Sequence, residues 1–324
     1  MLLAGLAACR VTVVRGVAGE DAFVRWPAED TVLVGSWSGL YVLDPTQMAL
    51  AQLSDAPVLA ATLGTDDRVR WTESYATDPS ADPPVICLAS CLLEVSSARR
   101  DGSDPQTDVP EVLANGLDTV VQSPNRRWLA FQSDAHLQVL DLSTGYGVPD
   151  GPGGTWAMDV ADDGNSVVFL QSSAPAEEPW QHFQVWTPAT GDVAVPDLDD
   201  DPDLVWTWRY RDGDHHALLV DTTDPQHPVL ASAALSTGAR EWTTPLEAPL
   251  LLGTLHWSED ARTLSFFEDT RPPALVVVDA RDGTASAVGR FDLGDSVWDG
   301  QSAVSPDGAR VAWIARGALH LADR

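Results

Sequence analysis

This chain contains no lysine. All 19 of its basic side chains are arginine, and they face 48 acids, a formal net charge of −29 over 324 residues. A surface of that sign repels phosphate backbones and anionic headgroups, which argues against nucleic acid as a partner. Cysteine is nearly absent too, with only Cys9, Cys87 and Cys91. No stretch approaches the ~18–20 consecutive apolar residues that a spanning helix needs. Catalytic signatures are missing as well. Gly35-Ser36-Trp37-Ser38-Gly39 has Trp37 where a nucleophile elbow needs its serine. Gly294-Asp295-Ser296 sits beside a predicted strand with no helix to follow it. Asp197, Asp199, Asp201 and Asp203 alternate as calcium ligands do, but Pro202 and Trp208 stand where an EF-hand loop needs Gly and Glu. The segment therefore reads as a solvated acidic loop, with a weak calcium site of another kind as the alternative.

What the chain does have is a phrase that returns. Ser305-Pro306-Asp307-Gly308 precedes the strand Arg310–Ile314, and Ser123-Pro124-Asn125-Arg126-Arg127 precedes Trp128–Phe131. Related copies begin at Trp26-Pro27, Thr65-Asp66, Ala161-Asp162, Arg211-Asp212 and Ser258-Glu259. Each leads into a short apolar strand, a loop and a second strand, and most end in Thr-Gly or Asp-Gly. Proline at the second position of the turn has its φ preset, Asp or Asn tolerates the third, and Gly takes the fourth. Alternation such as Val311/Trp313/Ala315 turns one face of a strand to the adjacent unit. A period of roughly 40–50 residues describes a small sheet that cannot bury its own faces and must pack on its neighbours. With 44% apolar residues there is material for that packing.

The fold class expected is therefore all-β: a β-propeller of seven four-stranded blades, residues 10–324 forming one domain, with six or eight blades as alternatives because the second copy is poorly defined. The seventh copy ends after three strands, at Ala318–Leu321, while Arg10–Gly16 is a strand without a partner. Pairing the two would close the ring and remove both sheet edges.

These units resemble the repeats of the TolB-like propeller family, in which Ser-Pro-Asp-Gly precedes a hydrophobic Ala-Phe/Trp strand. The third, sixth and seventh copies carry the likeness. It implies a periplasmic or surface propeller that works by binding; the separate N-terminal domain of TolB has no counterpart here.

Met1–Cys9 looks like the end of a bacterial lipoprotein signal peptide. In Leu6-Ala7-Ala8-Cys9 an apolar residue and two small ones precede a cysteine, the pattern at which such leaders are cut and the cysteine acylated. The charged region that normally opens a leader is missing, which a true start codon further upstream would explain. A buried first strand with Cys9 as an inert thiol is the alternative. Export would permit a disulfide between Cys87 and Cys91. Four residues at strand rise separate their Cα atoms by about 13 Å, so the bond requires a tight turn through Leu88-Ala89-Ser90. Two buried thiols are the other reading.

Adjacent strand residues point to opposite faces, so His215 and His216 cannot share an ion, and both read as ordinary strand residues, with His227 in a loop. Of thirteen tryptophans, Trp128, Trp186, Trp257 and Trp313 fall on repeat strands and are expected between blades. Trp37, Trp156, Trp180, Trp206, Trp208 and Trp298 have no clear place, and some are candidates for a rim groove.

The function expected is a monomeric, non-catalytic propeller of the cell envelope, lipid-anchored through Cys9, binding a protein, peptide or glycan without a cofactor. An enzyme of lactonase or lyase type, with a metal or carboxylates in the central channel, is the alternative. A salt-adapted surface protein with no specific ligand is a third.

Overall fold

A computed structural model describes residues 11–324 other than 19–21, 65, 77–90, 115–120, 126, 134–135, 143, 145, 149–150, 154, 172–182, 197–204, 222, 225, 252–253, 259 and 294–300. Cys9, Cys87, the four alternating aspartates, Ser296, Trp180 and Trp298 lie outside the described residues. Cys91 opens a strand whose backbone pairs with Ala76.

The strands assemble into seven antiparallel sheets of four. Each of the first six is a meander in chain order. Their innermost strands are Phe23–Ala28, Val58–Leu63, Val121–Gln122, Thr155–Val160, Val205–Arg211 and His256–Trp257. The seventh blade runs from Ser302–Val304 through Arg310–Ala315 to Ala318–Asp323, and its outer strand is Val11–Arg15 from the opposite end of the chain. The register of that clasp runs from Val11 against Ala322 to Arg15 against Ala318. The propeller, its seven blades and its closure all match the expectation from sequence. The second blade is long: its middle strands, Arg68–Ala76 and Cys91–Arg99, pair over nine residues.

The repeated phrase folds as its chemistry requires. In the Ser305 turn the Gly308 N–H donates to Ser305 O at 2.8 Å. Asp307 Oδ1 accepts from the Ala309 N–H at 2.9 Å, and Ser305 Oγ accepts from the Arg310 N–H at 2.9 Å. A second turn, between the third and fourth strands, uses glycine at φ near +70°: Gly191, Gly238 and Gly283. The first blade puts Met48 there instead, at φ 55° and 44% exposed. A Cβ in the left-handed region costs about 1 kcal/mol, and this side chain gives little packing in return. Met48→Gly is expected to stabilise the protein by about 1 kcal/mol, read as a higher midpoint in urea with an unchanged m-value.

The core lies in the seams between blades, as expected for units that cannot bury their own faces. Val24, Trp26 and Val34 of blade one pack with Ala312, Ile314 and Leu319 of blade seven. Trp186, Trp208, Trp242 and Trp313 fill four other seams. Trp208, unassigned from sequence, is 2% exposed and meets Phe183 edge-on at 5.6 Å. Trp128 and Trp257, expected between blades, are half-buried at seam edges.

One buried charge works against this core. Glu268 on blade six is 5% exposed and accepts the Glu247 N–H at 3.0 Å. Burial raises its pKa, against the backbone N–H groups of Glu247 and Ala248, and the Glu247 carboxylate raises it further. A raised folded-state pKa means the native protein holds this proton more tightly than the unfolded chain does. The ionised group therefore lowers stability at neutral pH, and the penalty fades as pH falls through the raised value. Glu268→Gln is expected to raise Tm at pH 7 and to lose that advantage below about pH 4, the ordinary glutamate range, in melts recorded across pH.

Candidate functional site

The innermost strands surround an axial cavity of about 240 Å3. Six blades each send residues into its wall, so no single strand shows the site. Blade one gives Arg25, blade two Ala60 and Ala61, and blade three Val121, Gln122 and Ser123. Met158 and Asp159 come from blade four, Thr207 to Arg209 from blade five, and Leu255 to Trp257 from blade six.

Among the described residues of this wall, two arginines and a histidine stand beside one acid, Asp159. Arg209 reaches past blade four: its Nη1 lies 3.5 Å from Gln122 O on blade three. Its guanidinium therefore stretches across the opening between two non-adjacent blades. Arg25 Nη1 donates to its neighbour's carbonyl, Val24 O, at 3.1 Å. The indole N–H groups of Trp208 and Trp257 are buried in the wall without an acceptor among the described residues.

Asp159 is turned away to a different task. Its Oδ2 lies 2.6 Å from His215 Nδ1 on blade five, and His215 Nε2 lies 2.9 Å from Ser166 Oγ, back on blade four. Asp159 and His215 are each 2% exposed. An imidazole bridging a carboxylate and a hydroxyl satisfies both ring nitrogens, so the trio pins the seam between blades four and five. Tyr210 packs edge-on against His215, with ring centroids 5.0 Å apart. Burial raises the Tyr210 pKa, and Asp163, Asp162, Asp214 and Asp159 add to the shift.

His216 faces the other way, as strand alternation requires. Its Nδ1 lies 2.9 Å from Glu241 Oε2, which also accepts from Arg211 Nη2 at 2.6 Å and Ser232 Oγ at 3.1 Å. Sequence reasoning placed both histidines correctly on opposite faces of a strand, but it missed that each is buried against a carboxylate from elsewhere. Asp159 is 56 residues from His215, and Glu241 is 25 from His216. His227 is exposed beside Asp224. Among the described residues, no group of three or more His, Cys, Asp or Glu is arranged to hold a metal ion, and no helix is long and apolar enough to cross a membrane.

No family model matches the chain, and no curated protein does. Solved structures match its fold. An oligogalacturonate lyase in complex with manganese superposes with a TM-score of 0.61 at 14% identity, over 97% of this chain and 96% of that one. A chain of the mitotic checkpoint complex gives 0.59 at 13% identity, over 97% and 91%. TolB from Acinetobacter baumannii gives 0.47 at 13% identity, over 94% and 79%. At such identities the likeness to the first two is one of architecture alone, in keeping with the seven four-stranded blades of this chain.

Proposed function

We propose that this chain is a binding propeller of the cell envelope, anchored by lipid at Cys9, that recognises a peptide, protein or glycan at its axial opening. The observation that carries the reading is the cavity itself: a donor-rich hollow on the axis of a chain whose net charge is −29. Side chains from six blades converge there, so the closed ring holds them in fixed positions relative to one another. Leu6-Ala7-Ala8-Cys9 supports the anchor, since a peptidase cutting before Cys9 would leave that residue for acylation.

A plug tests the site. Ala60→Trp puts an indole into the cavity from blade two, and circular dichroism checks that the ring still forms. Arrays of peptides and glycans probed with both proteins should give ligands that only the wild type retains. Ligands kept by the plugged variant would place recognition elsewhere, and ligands returned cleaved would make the protein an enzyme. Mass spectrometry of the Cys9 peptide from the membrane fraction tests the anchor: a free thiol at Cys9 there refutes it.

A further inference from the structure

We infer that Asp159, His215 and Ser166 form a nucleophilic triad that hydrolyses a carboxylic ester, with the Ser166 backbone N–H as oxyanion donor. The inference does not rest on the axial opening being a binding site. Three observations lead to it.

The first is the order of the contacts. Asp159 Oδ2 lies 2.6 Å from His215 Nδ1, and His215 Nε2 lies 2.9 Å from Ser166 Oγ. A carboxylate beside Nδ1 holds that nitrogen as the N–H, so Nε2 is the acceptor and the Ser166 hydroxyl donates to it. A base in reach of a hydroxyl, itself oriented by a third group, is the arrangement that activates a serine. It is recognised by geometry and roles, whatever the order along the chain. Asp159 and His215 are buried, whereas Ser166 is half-buried and is the most exposed of the three.

Rigidity is the second. Asp159 lies on the strand Thr155–Val160, Ser166 immediately precedes Val167–Gln171, and His215 lies on Asp214–Asp221 of the next blade. The His215 N–H donates to Asp214 Oδ1 at 2.8 Å, and the Tyr210 ring packs on the imidazole. Base and nucleophile are therefore held by paired strands, which keep such a constellation more precise than free loops do.

A missing serine gives the third. In three sister turns the N–H at the start of the second strand donates to a serine Oγ five residues back. These are Trp128 N–H to Ser123 at 3.0 Å, Thr263 N–H to Ser258 at 2.9 Å and Arg310 N–H to Ser305 at 2.9 Å. In blade four Ala161 stands in that serine's place and Ser166 occupies the donor position, with the turn bond from Ala161 N to Ser166 O kept at 2.8 Å. Among the described residues the Ser166 N–H meets no acceptor. In serine proteases the attacking residue's own N–H is one of the oxyanion donors.

Besides the ester, the reaction needs only water. Ser166 Oγ bonds to the acyl carbon as its proton passes to His215 Nε2. The carbon–oxygen bond to the alcohol then breaks, and the alcohol leaves with that proton. Water next attacks the acyl-serine, again giving a proton to Nε2. The acid is released as Ser166 Oγ takes that proton back.

A fluorophosphonate probe, followed by mass spectrometry of the wild-type protein, should place the phosphonyl group on Ser166. With p-nitrophenyl acetate as substrate, Ser166→Ala should lower the rate of p-nitrophenolate release at least about ten-fold. Asp159→Asn should do the same, because an amide donating to Nδ1 moves the ring proton to Nε2. Ala161→Ser restores the acceptor of the sister turns, and should lower the rate at least about ten-fold with no loss of Tm. His227→Gln, which removes an exposed imidazole, should leave the rate unchanged. No label on Ser166, or a wild-type rate in any of the first three variants, would overturn the inference. A rate lost equally in His227→Gln would overturn it too, by assigning the hydrolysis to a surface imidazole. Labelling needs no variant, so it decides even where a substitution loosens the seam.

Discussion

A protein lacking residues 1–17 should fail to hold its ring. The seventh blade would lose its outer strand, leaving Ala318–Asp323 as an open edge, and blade one would lose its cover from Val17, which is 1% exposed. Val14 and Val17 both pack on the cluster joining blades seven and one. Full burial of Val17 alone is worth roughly 1.5–3 kcal/mol, half-buried Val14 adds to it, and five residues of pairing go with them. The expected loss is at least about 5 kcal/mol, comparable with the whole stability of an ordinary domain. It would be read as a drop in Tm of more than 10 °C, or as aggregation through the open edge. Val13→Thr is the control: that side chain is 46% exposed, and a β-branched polar residue keeps the strand. An unchanged melt for the truncated protein would mean that the ring does not depend on its clasp.

Trp313→Ala should be the costliest single substitution. The indole is 1% exposed, stacks on His320 with centroids 5.3 Å apart, and meets Phe291 at 4.3 Å. Around it lie Phe267, Leu275, Val277 and Val311, so the seam between blades six and seven cannot collapse into the vacated space. Truncating a buried tryptophan costs about 3–5 kcal/mol, measured here by urea unfolding, and Trp313→Phe should cost less than half of that. Because this seam adjoins the clasped blade, the loss should not be additive with the truncation. Additive losses would show that the two features act independently.

How much of this was legible in the sequence follows from how local each feature is. The turns are written in neighbouring residues. Ser305-Pro306-Asp307-Gly308 carries its own hydrogen bonds, so it marks a blade wherever it occurs. The clasp was legible because two incomplete pieces fit one gap. The axial wall was not, since six blades each contribute only one to three of its described residues, and Arg25 or Arg209 alone looks like any surface arginine. One signal was there. The turn bonds from Ser123 N to Trp128 O, Ala161 N to Ser166 O, Ser258 N to Thr263 O and Ser305 N to Arg310 O put four blades in one register. Two residues before each turn stand Val121, Asp159, His256 and Ala303. A carboxylate and an imidazole in a column otherwise apolar mark the hub, but only after the blades are aligned on that bond. The partners of His215 and His216 gave no such signal, because a seam contact depends on how two sheets meet and not on either sheet's own pattern.

The clasp also sets an order in time. Val11–Arg15 leaves the ribosome before every other strand of the wheel, yet its partner, Ala318–Asp323, follows after all the others. At roughly 5–20 residues per second, the early strand waits on the order of 15 to 60 s for a mate. Until then it is a bare ribbon with Val14 uncovered, and the finished wheel can lock only once Ala318–Asp323 is free.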